Sequence, residues 1–279
     1  MATFQEKLKW ATHKLERVGI ENPNIDAWYL LASVSTMTRS DYFLHSMDEM
    51  PESQSVVFQK FIERRVKHEP MQYIIGEQEF MGLNFLVNEN VLIPRQDTEI
   101  LVELVMKECN DKTVLDVCTG SGCIAISLAK LTDAKSVTAL DISSKALELA
   151  AQNAKKNEVE VSFIQSNMFE SVNQKYDVIV SNPPYIPTDV IKTLMPEVKD
   201  FEPMLALDGT EDGLKFYRIL AQQSKDYLTK SGMVYFEIGC EQADDVCELL
   251  KENGYDSIKV TKDYANLNRV VSARLKDDR

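Results

Sequence analysis

The sequence predicts an α/β fold on a doubly wound, mostly parallel sheet, with a small helical bundle at its amino end. Three observations carry this prediction. From about Pro94 onward, apolar runs with strand character alternate with segments of helical period. A strand, a glycine turn and a helix follow one another across residues 113–129, as in the first unit of a nucleotide-binding fold. Several strands then end in polar residues, where open α/β sheets place their ligands.

In chain order, residues 1–75 read as the helical bundle. Phe4, Leu8, Ala11, Leu15 and Val18 recur at steps of three and four. Asn24 or Asp26 is placed to cap a second helix through Trp28, Tyr29, Leu30 and Leu31. Pro51 suits the first turn of a third helix, with Val56, Val57, Phe61 and Ile62 inward. The aromatics of this region are read as core. Residues 76–93 shift toward alternation, with Gly82 and an Asn-Glu-Asn turn at 88–90, and read as a β-hairpin linking the bundle to the rest. Phe80 and Phe85 on it are read as core before channel wall.

Residues 94–279 hold the β/α alternation. Strands are expected at 113–117, 136–141, 161–164, 176–181, 232–237, 257–260 and 269–274, and Ile124 to Ala129 is apolar at helical spacing. There is no internal repeat and no low-complexity tract.

Composition bounds the function. A chain of 279 residues holds one large or two modest domains. There is no apolar run of about 18 residues, so no membrane span is expected. The polar start is not that of a signal peptide. Five cysteines without a C-x-x-C pair and three scattered histidines imply reduced thiols, a cytoplasmic protein and no metal site. Cys118 is expected to be an inert thiol. The net charge is −13, from 44 acidic and 31 basic residues. Duplex-binding proteins draw affinity from phosphate neutralisation, so this balance argues against a nucleic-acid partner. The one dense basic cluster, Arg64 to His68, reads as a solvated helix face. A monomer is expected.

Two motifs carry chemistry. Asn182-Pro183-Pro184-Tyr185 follows the strand at 176–181. Its prolines remove two N–H donors and stiffen the turn. The Asn182 side chain and the Pro183 carbonyl remain as fixed polar groups. Two acceptors in a rigid turn are suited to holding an –NH2 group by both hydrogens, with its lone pair turned toward an electrophile. A proline turn capped by Asn is the plain alternative.

The second motif is the turn Cys118-Thr119-Gly120-Ser121-Gly122. Gly120 and Gly122 let the backbone approach a ligand just before a helix amino end. Asp116 ends the preceding strand. A carboxylate there would repel a pyrophosphate but favour the ammonium and sulfonium of S-adenosylmethionine, so it points to that cofactor over NAD. Asp141 lies 19 residues after Gly122, near the spacing at which an acid receives ribose hydroxyls. Asn167 is placed to accept from an adenine amino group and Met168 to pack on the ring. Exposed loop carboxylates are the plain alternative. Three polar strand ends in order beside a glycine turn weigh against it.

At this point the chain resembles class I (Rossmann-like) methyltransferases with an NPPY motif, which modify nitrogen. Glu69 to Gly76, Phe80 to Phe85, Val91 to Glu99, Phe201-Glu202-Pro203, Asp212-Gly213-Leu214, Phe236 to Gly239 and Asn268 to Val271 are similar to signatures of one branch. That branch is the peptide chain release factor glutamine methyltransferases, the PrmC or HemK family. Gln96, Val117-Cys118, Asn167 and Tyr264 to Asn268 depart from its usual residues, and none removes a group the chemistry needs.

The resemblance implies a seven-stranded sheet and S-adenosyl-L-methionine as methyl donor, leaving S-adenosyl-L-homocysteine. It implies cofactor contacts from Asp116, Cys118, Thr119, Gly120, Ser121, Gly122, Asp141, Asn167, Met168 and Asn182. Asn182, Pro183 and Tyr185 are the implied catalytic residues, with Pro184 beside them at the substrate. The implied substrate is the glutamine of the Gly-Gly-Gln loop of class 1 release factors, with residues 1–75 recognising that protein. The enzyme alternative is methylation of an exocyclic amino group of a nucleic-acid base. The non-enzyme alternative is a cofactor-binding scaffold that has lost catalysis.

Overall fold

The computed structural model describes residues 2–276. The chain divides into two compact units, Met1–Gly76 with Met195–Phe201, and Glu77–Leu194 with Glu202–Arg279.

The first unit packs α1 (Phe4–Arg17), α2 (Pro23–Ser35), α3 (Arg39–His45), α4 (Glu52–Arg65) and α5 (Met71–Ile75). A capping box starts α1: the Thr3 hydroxyl accepts from Glu6 N at 3.2 Å and Glu6 Oε2 accepts from Thr3 N at 2.9 Å. Phe4, Ala11 and Leu15 are buried as their spacing predicts, against Leu30, Leu31, Phe58 and Ile62. Three expectations change. Asn22 with Pro23 begins α2, and Asp26 is no cap. In α4 the buried residues are Ser55, Phe58, Ile62 and Arg65, whereas Val56 and Val57 are exposed. The apolar pairs at 56–57 and 61–62 masked which stripe carries Phe58.

The third change is the basic cluster, which is not a solvated face. Arg65 is buried and donates to Asp26 Oδ2 at 2.6 Å, to the Glu69 carbonyl at 3.1 Å and to Glu197. Arg64 donates to Glu69 Oε2 at 2.8 Å. A guanidinium forks to several acceptors, so one arginine ties α2, α4 and the 195–201 stretch together.

The second unit begins with β1 (Glu77–Phe80) and β2 (Leu83–Leu86). Phe80 pairs with Leu83, so Met81-Gly82 is a two-residue loop. Both residues have positive φ, +52° and +72°, the twist that a tight hairpin requires. The hairpin packs into this unit as core: Phe80 and Phe85 are buried with ring centroids 6.1 Å apart. Neither lines the cavity described below.

The alternation continues through α6 (Gln96–Met106), β3 (Thr113–Val117), α7 (Cys123–Leu131), β4 (Ser136–Asp141), α8 (Ser144–Lys156), β5 (Ser162–Gln165) and β6 (Tyr176–Ser181). Three short helices follow, α9 (Thr188–Ile191), α10 (Pro196–Lys199) and α11 (Met204–Leu207), with α10 in the first unit. The chain closes with α12 (Lys215–Tyr227), β7 (Leu228–Glu237), α13 (Ala243–Glu252), β8 (Tyr255–Lys262) and β9 (Asn268–Leu275).

The seven strands lie in the order β5-β4-β3-β6-β7-β9-β8, and β9 alone runs against its neighbours. The strand order reverses between β3 and β6, the switch point where open α/β sheets bind ligands. Both faces are covered. Leu115, Val117, Ile179, Val234 and Phe236 pack toward α12 and α13. Val114, Val178, Val180 and Tyr235 pack toward α6, α7 and the hairpin. Strand alternation has period two, so Asp116, Asn182 and Glu237 all fall on the α6/α7 side.

Candidate active site

A cavity of about 460 Å³ opens at the carboxyl ends of β3, β4, β5 and β6. Of the residues singled out from the sequence, Cys118, Thr119, Gly120, Ser121, Asp141, Asn167, Met168, Asn182 and Pro184 line it. Asp116, Gly122, Pro183 and Tyr185 do not.

The glycine turn forms one wall. Thr119 N donates to the Leu140 carbonyl at 3.0 Å, which fixes the turn to β4, and Gly122 N closes it on the Thr119 carbonyl at 2.9 Å. Gly120 has φ +55°, and a Cβ there would meet nothing within 4 Å, so glycine serves the backbone conformation. Gly122 serves packing as well: at φ +81° its Cβ would lie 2.8 Å from Ile126 Cδ1 and 3.1 Å from Ala150 Cβ. Gly122 thus lies at the contact of α7 with α8 and off the cavity lining.

Cys118 adopts φ +64° and Met168 φ +49°. Such conformations in non-glycine residues persist where surroundings enforce them, and they mark two of the four strand ends around the cavity. Burial pushes the Cys118 thiol far up, helped by the Asp141 and Asp116 charges, which disfavours the reactive thiolate.

Asp141 stands at the end of β4. Its Oδ2 accepts from Gly120 N at 2.9 Å and Oδ1 accepts from Ser143 N at 2.9 Å. Burial pushes its pKa up, against the backbone bonds from Ser143, Gly120 and Ile142. The carboxylate keeps accepting capacity for the cavity. Asn167 donates through Nδ2 to Glu170 Oε1 at 2.7 Å, which leaves its carbonyl as the free acceptor.

Asp116 departs from expectation. It is fully buried beneath the turn, where Oδ2 accepts from Thr119 Oγ1 at 2.6 Å and from Ala125 N at 3.3 Å. Its Oδ1 has no hydrogen-bond partner among the described residues. Burial pushes this carboxyl up to about 7, against the Thr119 and Ala125 bonds, with the Asp141 charge adding to the rise. The side chain braces the turn from the α7 face of the sheet, because β3 alternation points it there.

The NPPY turn forms the facing wall. Ser181 Oγ donates to the Val117 carbonyl at 2.6 Å, so β6 is tied to β3 just before the turn. Asn182 Nδ2 donates to Thr98 Oγ1 at 3.2 Å. Pro183 is buried, and its carbonyl accepts no hydrogen bond among the described residues. Tyr185 packs against the core under the turn rather than on the cavity wall. Its phenol is pushed up by burial and by the nearby Glu237 charge. The Tyr185 carbonyl accepts from Gln242 Nε2 at 3.0 Å. Gly209 and Gly213 press on the same stretch: added Cβ atoms would lie 2.8 Å from Tyr185 C and 2.3 Å from Tyr185 O. The Asp212-Gly213-Leu214 signature thus supports NPPY from behind.

Residues not singled out as site residues complete the wall. Thr98 and Arg95 line the cavity. Arg95 is paired with the buried Glu202, which burial pushes up and Arg95 pulls down. Glu237 lies beneath Asn182. A carboxylate at the end of an apolar strand, Phe236-Glu237, was the available signal for it.

This sheet order, with a glycine turn at the end of its first parallel strand, defines a class I methyltransferase fold. A family model described as "PrmC N-terminal domain" matches residues 6–76, and "Methyltransferase small domain" matches 95–197. The chain is 41% identical over 267 residues to a release factor glutamine methyltransferase of Fusobacterium nucleatum, covering 93% of this chain and 75% of that one. It is 36% identical over 275 residues to the protein of the same description from Geobacter sulfurreducens, covering 98% and 97%. The chain belongs to the release factor glutamine methyltransferase family. Among solved structures, a methyltransferase from Pyrococcus furiosus aligns over 71% of this chain and 91% of its own with a TM-score of 0.55 at 18% identity, a likeness of fold alone.

Proposed function

We propose that this chain transfers a methyl group from S-adenosyl-L-methionine to the side-chain amide nitrogen of the glutamine in the Gly-Gly-Gln loop of class 1 release factors. Membership of the family supports the substrate class. The single observation that carries the chemistry is the state of Asn182. One Nδ2 hydrogen goes to Thr98 and the amino end also faces the buried Glu237, so Oδ1 is the group left to accept on a wall of the cavity.

The residues present fit the methyl donor. Asp141 offers lone pairs to a ribose diol, the Asn167 carbonyl to an adenine amino group, and Met168, Ile142 and Leu140 an apolar slot for the ring. The turn at Gly120 opens to the cavity with no phosphate-neutralising lysine or arginine on it. When bound, S-adenosylmethionine supplies an electrophilic methyl on a sulfonium.

The protein's own part is positioning. An amide nitrogen is a weak nucleophile because its lone pair is delocalised into the carbonyl. Asn182 Oδ1 and the unspent Pro183 carbonyl would accept the two N–H groups and favour the geometry in which positive charge develops on nitrogen. The proton is acidic once that charge has formed, so it leaves late and no strong base is required. Pro184 would fill the wall beside the amide and help exclude water. Tyr185 would act from beneath by holding the turn.

Residues 1–75 would recognise the body of the release factor, in the cytoplasm where translation takes place. Labelled methyl transfer to purified release factor, run beside total RNA and DNA, tests the reading. Label in the release factor's glutamine supports it, and label in nucleic acid alone overturns it.

A further inference from the structure

The NPPY turn leaves one question of geometry. An asparagine amide has an acceptor end and a donor end of nearly equal shape, and only the acceptor end can hold a substrate N–H. Something must choose between the two. The structure places that choice outside the motif.

Thr98 sits in the first turn of α6, 2% exposed, with its oxygen on Asn182 Nδ2. Its hydroxyl donates to no backbone carbonyl among the described hydrogen bonds. Glu237 ends β7, where Ser181 is in register with Phe236, so the next residues of the two parallel strands, Asn182 and Glu237, are neighbours on one face. Glu237 is 2% exposed, and its Oε2 has no hydrogen-bond partner among the described residues. The Thr98 and Asn182 side chains lie against the carboxylate and favour its charged form. Buried carboxylates are costly, and this one is kept at the end of an otherwise apolar strand.

We propose that Thr98 and Glu237 are positioning residues that set the polarity of the active-site amide. Donors run inward: Asn182 Nδ2 donates to the Thr98 oxygen, and the Asn182 amino end and the Thr98 hydroxyl both face the Glu237 carboxylate. An ionised carboxylate only accepts, so it closes the chain in one direction. The Asn182 Oδ1 then faces the cavity. A protonated carboxyl can donate, and the chain would lose its direction.

The surroundings of Glu237 favour control by its charge. Burial raises its carboxyl to about 7, while Thr98, Arg269 and Asn182 lower it and Asp97 raises it. Tyr185, Tyr217 and Cys123 also feel its charge and are themselves pushed far up, so they stay neutral. Tyr217 Oη donates to the Glu237 backbone carbonyl at 2.8 Å and holds the strand end in place. Arg269 is shared with Asp97 and Asp263.

The inference rests on the proposed use of Asn182 in methyl transfer, and its test has two arms on the full chain. The first needs no substrate. In nitrogen-labelled protein, the Asn182 side-chain amide should exchange slowly and shift with a midpoint near pH 7. Thr98→Val should speed its exchange, and Glu237→Gln should remove the titration. The second arm measures transfer to release factor between pH 6 and 9. Thr98→Val should lower kcat roughly 10- to 100-fold, the loss of a hydrogen bond coupled to a charged group, with unchanged affinity for S-adenosylmethionine. Thr98→Ser should restore most of it. Glu237→Gln should remove the rise in kcat between about pH 6 and 8.

An Asn182 amide insensitive to both substitutions overturns the proposal, whatever the assay shows. So does a Thr98→Val loss that serine does not restore or that cofactor affinity matches. A wild-type protein that methylates no release factor, yet shows the titrating amide, instead sinks the assigned substrate and leaves the positioning role standing.

Discussion

Asp141 Oδ2 accepts the Gly120 amide at 2.9 Å, so the end of β4 and the cofactor-side turn form one hydrogen-bonded unit. On the proposed function Asp141 would have two roles, receiving a ligand and holding the turn beside it. Asp141→Ala should weaken S-adenosylmethionine binding by about 1–3 kcal/mol, the range for truncating a charged partner. Titration calorimetry on the folded variant reads this directly. Unchanged affinity would remove Asp141 from the site.

Asn182→Ala should act on chemistry more than on binding. Without the orienting acceptor, kcat should fall on the order of 100-fold or more, with cofactor affinity held within a factor of about two. Single-turnover transfer to release factor distinguishes this from a binding defect. A variant with near-normal kcat would end the positioning account.

Arg65 should matter for the stability of the helical unit. Its removal leaves the buried Asp26 and the half-buried Glu197 without their partner. Arg65→Ala should cost about 3–5 kcal/mol, and denaturant unfolding should show the loss in the helical unit. A cost under about 1 kcal/mol would mean that the pair is as weak as an exposed ion pair.

Asp116 gives stability a sign opposite to the usual carboxylate. Its folded pKa, raised to about 7 by burial, exceeds the ordinary value of 3.8. Between those values the unfolded chain has released a proton that the folded chain keeps. Stability contributed by this group therefore falls as pH rises through that window, by up to about 1.4 kcal/mol per pH unit. Asp116→Asn keeps the shape and removes the titration. Its melting temperature should gain on the wild type from pH 5 to pH 8. A gap that stays constant across that range would show that Asp116 does not titrate there.

Recognition by the helical unit is testable without cutting the chain, which matters because residues 195–201 belong to that unit. Phe43 and Leu44 on α3 are about four-fifths exposed. If this unit grips the release factor, Phe43→Ser with Leu44→Ser should raise KM for the whole protein substrate roughly tenfold and leave kcat alone, as expected for losing apolar anchors at an interface. An unchanged KM would take α3 out of recognition.

Much of the fold was legible because parallel strands buried on both faces read as continuous apolar runs. The strands at 113–117, 136–141 and 176–181 fall where the sequence places them. The helical unit was less legible. Its α4 carries apolar residues on two adjacent stripes, and only packing decides that Phe58 goes inward and Val56 outward. Arg65 read as solvated because its acceptors, Asp26 and Glu197, are 39 and 132 positions away. The site shows the same division. Asn182, Asp141 and the glycine turn announce themselves by type and place. Glu237 gains meaning only when β6 and β7 in register bring it beside Asn182, and Thr98 only when α6 brings its hydroxyl to the Asn182 amide.

Asn153 on α8 bears on the hairpin. Its side chain exchanges bonds with the Leu86 backbone, at 2.6 Å to N and 3.0 Å from O, and donates to the Ser121 carbonyl at 2.9 Å. One buried amide thus belongs at once to the hairpin and to the turn at the cavity. Free-energy coupling between two such places is reciprocal. Order imposed by a ligand on the turn would then pass in part to β2, and loosening β2 would weaken ligand binding. The hairpin then serves as a reporter of occupancy: amide exchange at Leu86 should slow when the cavity is filled.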